Sequence, residues 1–134
     1  MKRAPAHPTV EAVKAIHAEV LAAHGGSDGL RDEALLESAA AAPQATMMGK
    51  PVLKGPIEMA AGYLFYLCRH HPFVDGNKRT ALATCLVFLS ENGLLMEEGL
   101  EVEAWEKLVL GVAASELDRG QTTARLRELL RKRR

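Results

Sequence analysis

Apolar residues recur along this chain at intervals of three and four, the period of an α-helix that buries one face. Val10, Val13, Ile16, Val20 and Leu21 form the first such run. Thr9 is placed to cap it, Glu11 lies in the first turn where a carboxylate suits the dipole, and Gly25-Gly26 close it. A second run, Leu35, Leu36 and Ala39, predicts a helix from about Glu33 to Ala42, capped by Asp32 and stopped at Pro43. The third is the best formed: Ile57, Ala60, Ala61, Leu64, Phe65 and Cys68 fall on one stripe. Pro56 suits its first turn, and Pro72 requires it to end by about His70.

The next helix, about 77–91, is apolar nearly all round (Ala81, Leu82, Cys85, Leu86, Phe88, Leu89) and is expected to be the buried centre of the domain. Asn92-Gly93 close it. An acidic connection with Glu97, Glu98 and Glu101 leads to a helix carrying Val102, Trp105, Leu108, Val109 and Val112, with Trp105 as a core anchor. A last helix, from about Gln121, carries Leu126, Leu129 and Leu130. The pattern predicts an all-α protein of about six helices, a single domain over residues 1–134 with its core at about 9–130.

Two stretches break the helical period. Residues 43–56, PQATMMGKPVLKGP, hold three of the six prolines. They read either as a short extended flap over the site, before the central helix pair, or as an ordinary surface loop. In a flap, Thr46, Met47, Met48 and Gly49 would contact a target, the methionines as adaptable apolar surfaces. The turn at residues 25–32, GGSDGLRD, lacks the spacing of a phosphate-binding glycine loop and reads as a helix–helix connection.

Composition narrows the function classes. An apolar fraction of 48% with 25% charged residues is ordinary for a globular protein and argues against disorder. Seventeen basic residues balance seventeen acidic ones, so the chain offers no general field for nucleic acid. The ending RLRELLRKRR is basic, but cations there complement a helix C-terminus and no aromatic residues interleave them. No direct nucleic-acid contact is expected. Cys68 and Cys85 lie inside apolar patterns without zinc-ligand spacing, which predicts buried free thiols. The start, MKRAPAHPTVEA, lacks the apolar run of a signal peptide, and no stretch reaches the length of a membrane helix. A cytoplasmic protein without a membrane partner is expected.

The candidate chemistry lies between the third and fourth helices, in His71-Pro72-Phe73-Val74-Asp75-Gly76-Asn77-Lys78-Arg79. A helix beginning near Asn77 points N–H groups without intrahelical partners, and the positive end of its dipole, at this loop. Phosphate oxygens are the natural guest. Gly76 allows close approach or φ > 0, Asn77 can cap or bind phosphate, and Lys78 and Arg79 add a point charge and a planar fork. Asp75 would be redundant for anion binding and fits a hard oxygen ligand for Mg²⁺. His71 is left as a base for an incoming hydroxyl, while Pro72 and Phe73 anchor the loop. The plain alternative, a polar helix start with an incidental histidine, leaves these roles unexplained.

These nine residues resemble the signature HxFx[D/E]GN[G/K]R of the Fic/Doc family, matching every specified position. The likeness to its death-on-curing (Doc) branch extends through GGxxGLRDEALLESAxxxPQAT upstream and NKRTAL…FLxxNG downstream, over roughly residues 10–130. It implies an all-helical fold that binds ATP with Mg²⁺ for transfer onto a protein hydroxyl. His71 would be the base, Asp75 the metal ligand, and Asn77, Lys78 and Arg79 the phosphate contacts. Members that transfer AMP usually have glycine where this chain has Lys78, and a second arginine where it has Leu82. The Doc branch instead implies a protein kinase whose γ-phosphate faces the acceptor, although that branch resembles DANKR where this chain reads DGNKR. It further implies elongation factor Tu as target, growth arrest through translation, and a small antitoxin of a type II toxin–antitoxin pair. An internal inhibitory helix, [S/T]xxxE[G/N], would be the other form of control. Glu91-Asn92 and Glu98-Gly99 have Val87 and Leu94 at its Ser/Thr place, so a brake in trans is expected. The alternatives are an adenylyltransferase and a catalytically silent module that binds nucleotide or a partner.

Overall fold

The computed structural model describes residues 4–95 and 101–131. Within them lie six α-helices: α1 (Val10–His24), α2 (Glu33–Ala41), α3 (Pro56–His70), α4 (Asn77–Glu91), α5 (Val102–Ala113) and α6 (Arg119–Arg131). The only sheet among the described residues is a hairpin of two-residue strands, β1 (Thr46–Met47) and β2 (Lys50–Pro51). The protein is all-α. Glu97 and Glu98 of the acidic connection, the Glu98-Gly99 pair, and residues 132–134 of the basic tail fall outside the described residues.

Local chemistry accounts for the boundaries. Thr9 accepts a hydrogen bond from the Ala12 N–H, Asp32 does the same for Leu35, and α1 ends on Gly25 at φ 78°. Pro43 does not stop the second helix cleanly. The chain tightens into one 3-10 turn, Ala42–Gln44, with the proline near its start where a missing N–H costs nothing. Helix α6 opens two residues earlier than Gln121, because Asp118 and Gln121 form a reciprocal capping box: Asp118 Oδ1 accepts from Gln121 N at 2.7 Å and Gln121 Oε1 from Asp118 N at 2.9 Å.

The buried centre is α3 rather than α4. Helix α3 packs against α2, α4, α5 and α6, whereas α4 faces α1, α3 and α5 and leaves Leu82, Leu86 and Val87 half-buried. Residues Met59 to Leu64 of α3 are buried without interruption, and Gly62 lets Leu53 and Pro43 close over the helix. Trp105 is buried as expected, but Val102, in the first turn of α5, is 64% exposed. Cys68 and Cys85 are buried, free, and pushed up to about 12 by that burial, so neither supplies a thiolate. Packing α3 against α4 fixes where the chain between them must turn, and that turn is residues 71–76 of the nine-residue motif, whose last three residues open α4.

Candidate active site

His71 caps the C-terminus of α3 in the left-handed region, at φ 51° and ψ 53°. For a residue other than glycine this costs about 1–2 kcal/mol, so something must hold it there. Two sets of bonds do. The ring Nδ1 lies 2.9 Å from the Cys68 carbonyl oxygen. A carbonyl only accepts, so Nδ1 carries the proton, and the neutral ring keeps its lone pair on Nε2. The Arg31 guanidinium, from the connection after α1, donates to the carbonyls of His71 (2.6 Å) and His70 (2.8 Å). The Arg31 and Asp32 N–H groups both reach the Pro72 carbonyl, at 2.7 and 3.0 Å. Arg31→Met is therefore expected to lower stability by about 1–2 kcal/mol, read as a shift in urea midpoint, with Arg31→Lys recovering only part. An unchanged midpoint would mean that the fork holds nothing.

Beyond His71 the loop turns inward. Pro72 and Phe73 are buried, Phe73 bridges to Leu30, and the Val74 N–H reaches the Gly29 carbonyl at 3.0 Å. Asn77 is 7% exposed, and its carboxamide takes both backbone groups of Phe73: Oδ1 accepts the N–H and Nδ2 donates to the carbonyl, each at 2.9 Å. The carboxamide is therefore not the helix cap expected of Asn77. Its side chain is engaged inside the loop, and only its backbone N–H remains at the helix start. The N-cap is Gly76, at φ 79° and ψ 15°, a conformation that accounts for glycine here.

The first intrahelical bond of α4 runs from Thr80 N to Gly76 O, so the N–H groups of Asn77, Lys78 and Arg79 precede it and point out of the helix. The Lys78 and Arg79 side chains are exposed, and both ion pairs among the described residues involve Lys14 instead. Asp75 is exposed too. Its Oδ2 accepts from Ser27 N at 3.1 Å and its Oδ1 from Gly76 N at 2.8 Å, and these two N–H groups hold the carboxyl below the usual carboxylate range. Gly26 makes room for it, since a Cβ there would sit 2.8 Å from Oδ2. Each carboxylate oxygen keeps a free lone pair. The described residues offer no cluster of three acidic, His or Cys side chains for an all-protein metal site. A single accessible carboxylate beside an anion seat suits Mg²⁺, which is held by one or two carboxylates together with substrate phosphates.

His71, Asp75, Gly76, Asn77, Lys78 and Arg79 open onto one cleft of about 610 Å³. The rest of its lining includes Leu82 of α4 and Glu106, Val109, Leu110 and Ala113 of α5. That wall, with Leu110 57% exposed, was not marked by the sequence as part of the site. The hairpin is the reverse case. Met48 (φ 52°) and Gly49 (φ 80°) form its turn, Met47 and Met48 are 70% and 97% exposed, and none of Thr46 to Gly49 lines the cleft. Two further residues escaped sequence reasoning. Arg31 lay in what looked like a plain connection. His17, a lone helical histidine, is 4% exposed, stacks on Phe73 at 3.8 Å and 5°, and places Nε2 2.8 Å from the Asp75 carbonyl.

The arrangement unites an imidazole of fixed tautomer, the outward N–H groups of a helix start and a carboxylate in a groove of nucleotide size. The model of the Fic/DOC family matches residues 7–89. Toxin Doc of Mycolicibacterium smegmatis is 39% identical over 104 residues, covering 78% of this chain and 80% of that protein. Protein kinase doc of Escherichia phage P1 is 31% identical over 123 residues, covering 92% and 94%. With the signature loop, the helices that frame it and likeness over most of both relatives, the chain belongs to the Fic/Doc family.

Proposed function

We propose that this protein is a Doc-type toxin that transfers the γ-phosphate of ATP to a Ser or Thr hydroxyl of a protein. Elongation factor Tu is the target the family resemblance favours, and a separate antitoxin neutralises the activity. The observation that carries this reading is the pairing of His71, its proton fixed on Nδ1, with the outward N–H groups of α4 across one cleft. The names of the two relatives, a toxin and a protein kinase, support it.

In the proposed step the acceptor oxygen bonds to the γ-phosphorus as the bond to the β,γ-bridging oxygen breaks, and its electron pair leaves with ADP. The hydroxyl proton passes to Nε2 of His71. Catalysis is mainly positioning and charge stabilisation: the α4 N–H groups, Lys78 and Arg79 face the phosphate oxygens, and Val109, Leu110 and Ala113 of α5 suit the adenine. Bound Mg²⁺ would supply further neutralisation of phosphate charge, with Asp75 as its protein ligand. Lys78 fills the space that glycine leaves open in AMP-transferring relatives, which favours the phosphoryl outcome. On this reading the β1–β2 hairpin, whose exposed methionines lie outside the cleft lining, would meet the target protein rather than the nucleotide.

Purified protein incubated with Mg²⁺, elongation factor Tu and ATP labelled at either the γ or the α phosphate separates the readings. Label from γ alone is expected. Transfer of α-label would make this an adenylyltransferase, and nucleotide binding without transfer, in lysate as well, would leave a binding module.

A further inference from the structure

We propose that His17 is a positioning residue for the phosphate loop: its imidazole, clamped flat on Phe73, holds the Asp75–Gly76 peptide in the orientation that turns the Gly76 N–H onto the Asp75 carboxylate. The Asp75 carbonyl only accepts, so His17 Nε2 donates to it, at 2.8 Å. In a trans peptide the C=O and N–H point opposite ways, and this structure has no cis bond among the described residues. Fixing the carbonyl toward α1 therefore aims the Gly76 N–H outward, where it meets Asp75 Oδ1 at 2.8 Å.

Sterics alone do not set that orientation. Glycine populates positive and negative φ about equally, so the peptide before Gly76 could rotate with little penalty. A rotation would withdraw one of the two N–H groups that hold the carboxylate, leaving Ser27 alone. His17 supplies the missing constraint, and it is itself rigid: 4% exposed, stacked at 3.8 Å on a ring whose backbone Asn77 clamps. A histidine serving only the core would need a partner as well. Here the partner is the peptide that sets the geometry of the proposed Mg²⁺ ligand.

The inference rests on the phosphotransfer reading for its consequence, but part of its test does not. His17→Phe keeps a ring on Phe73 and removes the donor; His17→Gln keeps a donor and removes the ring. Amide hydrogen exchange of the full chain without nucleotide is followed by NMR. In His17→Phe the Gly76 amide is expected to exchange about tenfold faster, with α3 protection unchanged, and His17→Gln to restore most of it. In transfer assays the Mg²⁺ concentration for half-maximal rate is expected to rise about tenfold in His17→Phe and to recover in His17→Gln. Should His17→Phe not fold, His17→Met, also without a donor, carries the same expectations. Unchanged Gly76 exchange in the donor-less variant overturns the proposal, as does acceleration spread evenly through the chain in both variants. If the wild-type protein transfers no phosphate, the functional reading fails, and the exchange result still decides the role of His17.

Discussion

His71→Asn is expected to reduce phosphotransfer by about 10²–10⁴-fold, the usual contribution of a positioned general base, while leaving the loop in place. Asparagine is the informative substitution because it separates the two jobs of the imidazole. Its carboxamide can still donate to the Cys68 carbonyl, which now receives Nδ1 at 2.9 Å. It also tolerates the left-handed conformation at φ 51° better than most residues. What it lacks is a basic nitrogen to take the hydroxyl proton. His71→Ala removes both functions and is expected to be at least as inactive, with a further small loss of stability. Nucleotide affinity, measured by titration calorimetry, is expected to stay within about threefold in either variant, because the proposed phosphate seat is α4 and its cations. Full activity in His71→Asn would remove the imidazole from the mechanism. Lost affinity with an intact fold would make it a binding residue instead.

The helices were legible because each announces itself locally. The stripe of α3 and the breaks at Pro56 and Pro72 place its ends as observed, Pro56–His70. Fold and sequence pattern differ where packing or capping outweighs the local period. Gly120, a poor helix former, hid the start of α6, although Asp118 and Gln121 stand at capping-box spacing. Val102 fits the apolar period of α5 but lies in its first turn, before the helix meets the core. The apolar surround of α4 suggested a central helix, yet part of that surface lines the cleft or stays half-buried, and α3 takes the centre.

The site divides in the same way. His71 to Arg79 are consecutive, so their joint chemistry could be read from residue types alone. What holds and walls them is distant in sequence: Arg31 reaches His71 across 40 residues, His17 reaches Asp75 across 58, and the α5 wall belongs to the helix after α4. One sequence carries no signal for such pairings. A histidine on a helix looks the same whether it faces water or a loop peptide.

Asn77 gives the sharpest conflict between motif and geometry, and Asn77→Ala decides it. As a phosphate contact the carboxamide would face the cleft, and truncating it would change stability by less than about 0.5 kcal/mol. In the structure it is buried and satisfies both the N–H and the C=O of Phe73. Alanine would leave two backbone groups without partners beside a buried ring, at about 1–3 kcal/mol each. A loss near 3 kcal/mol is expected, lowering Tm by about 10 °C for a chain of this size. Asn77→Asp is expected to fall between, since a carboxylate can still accept from Phe73 N and suits the positive end of α4 but repels the Phe73 carbonyl. Transfer activity of Asn77→Ala, measured well below its Tm, is expected to fall with the loop's order, because Phe73 anchors the segment that carries Asp75. A Tm change under about 2 °C with weakened nucleotide binding would return the carboxamide to the phosphate contacts.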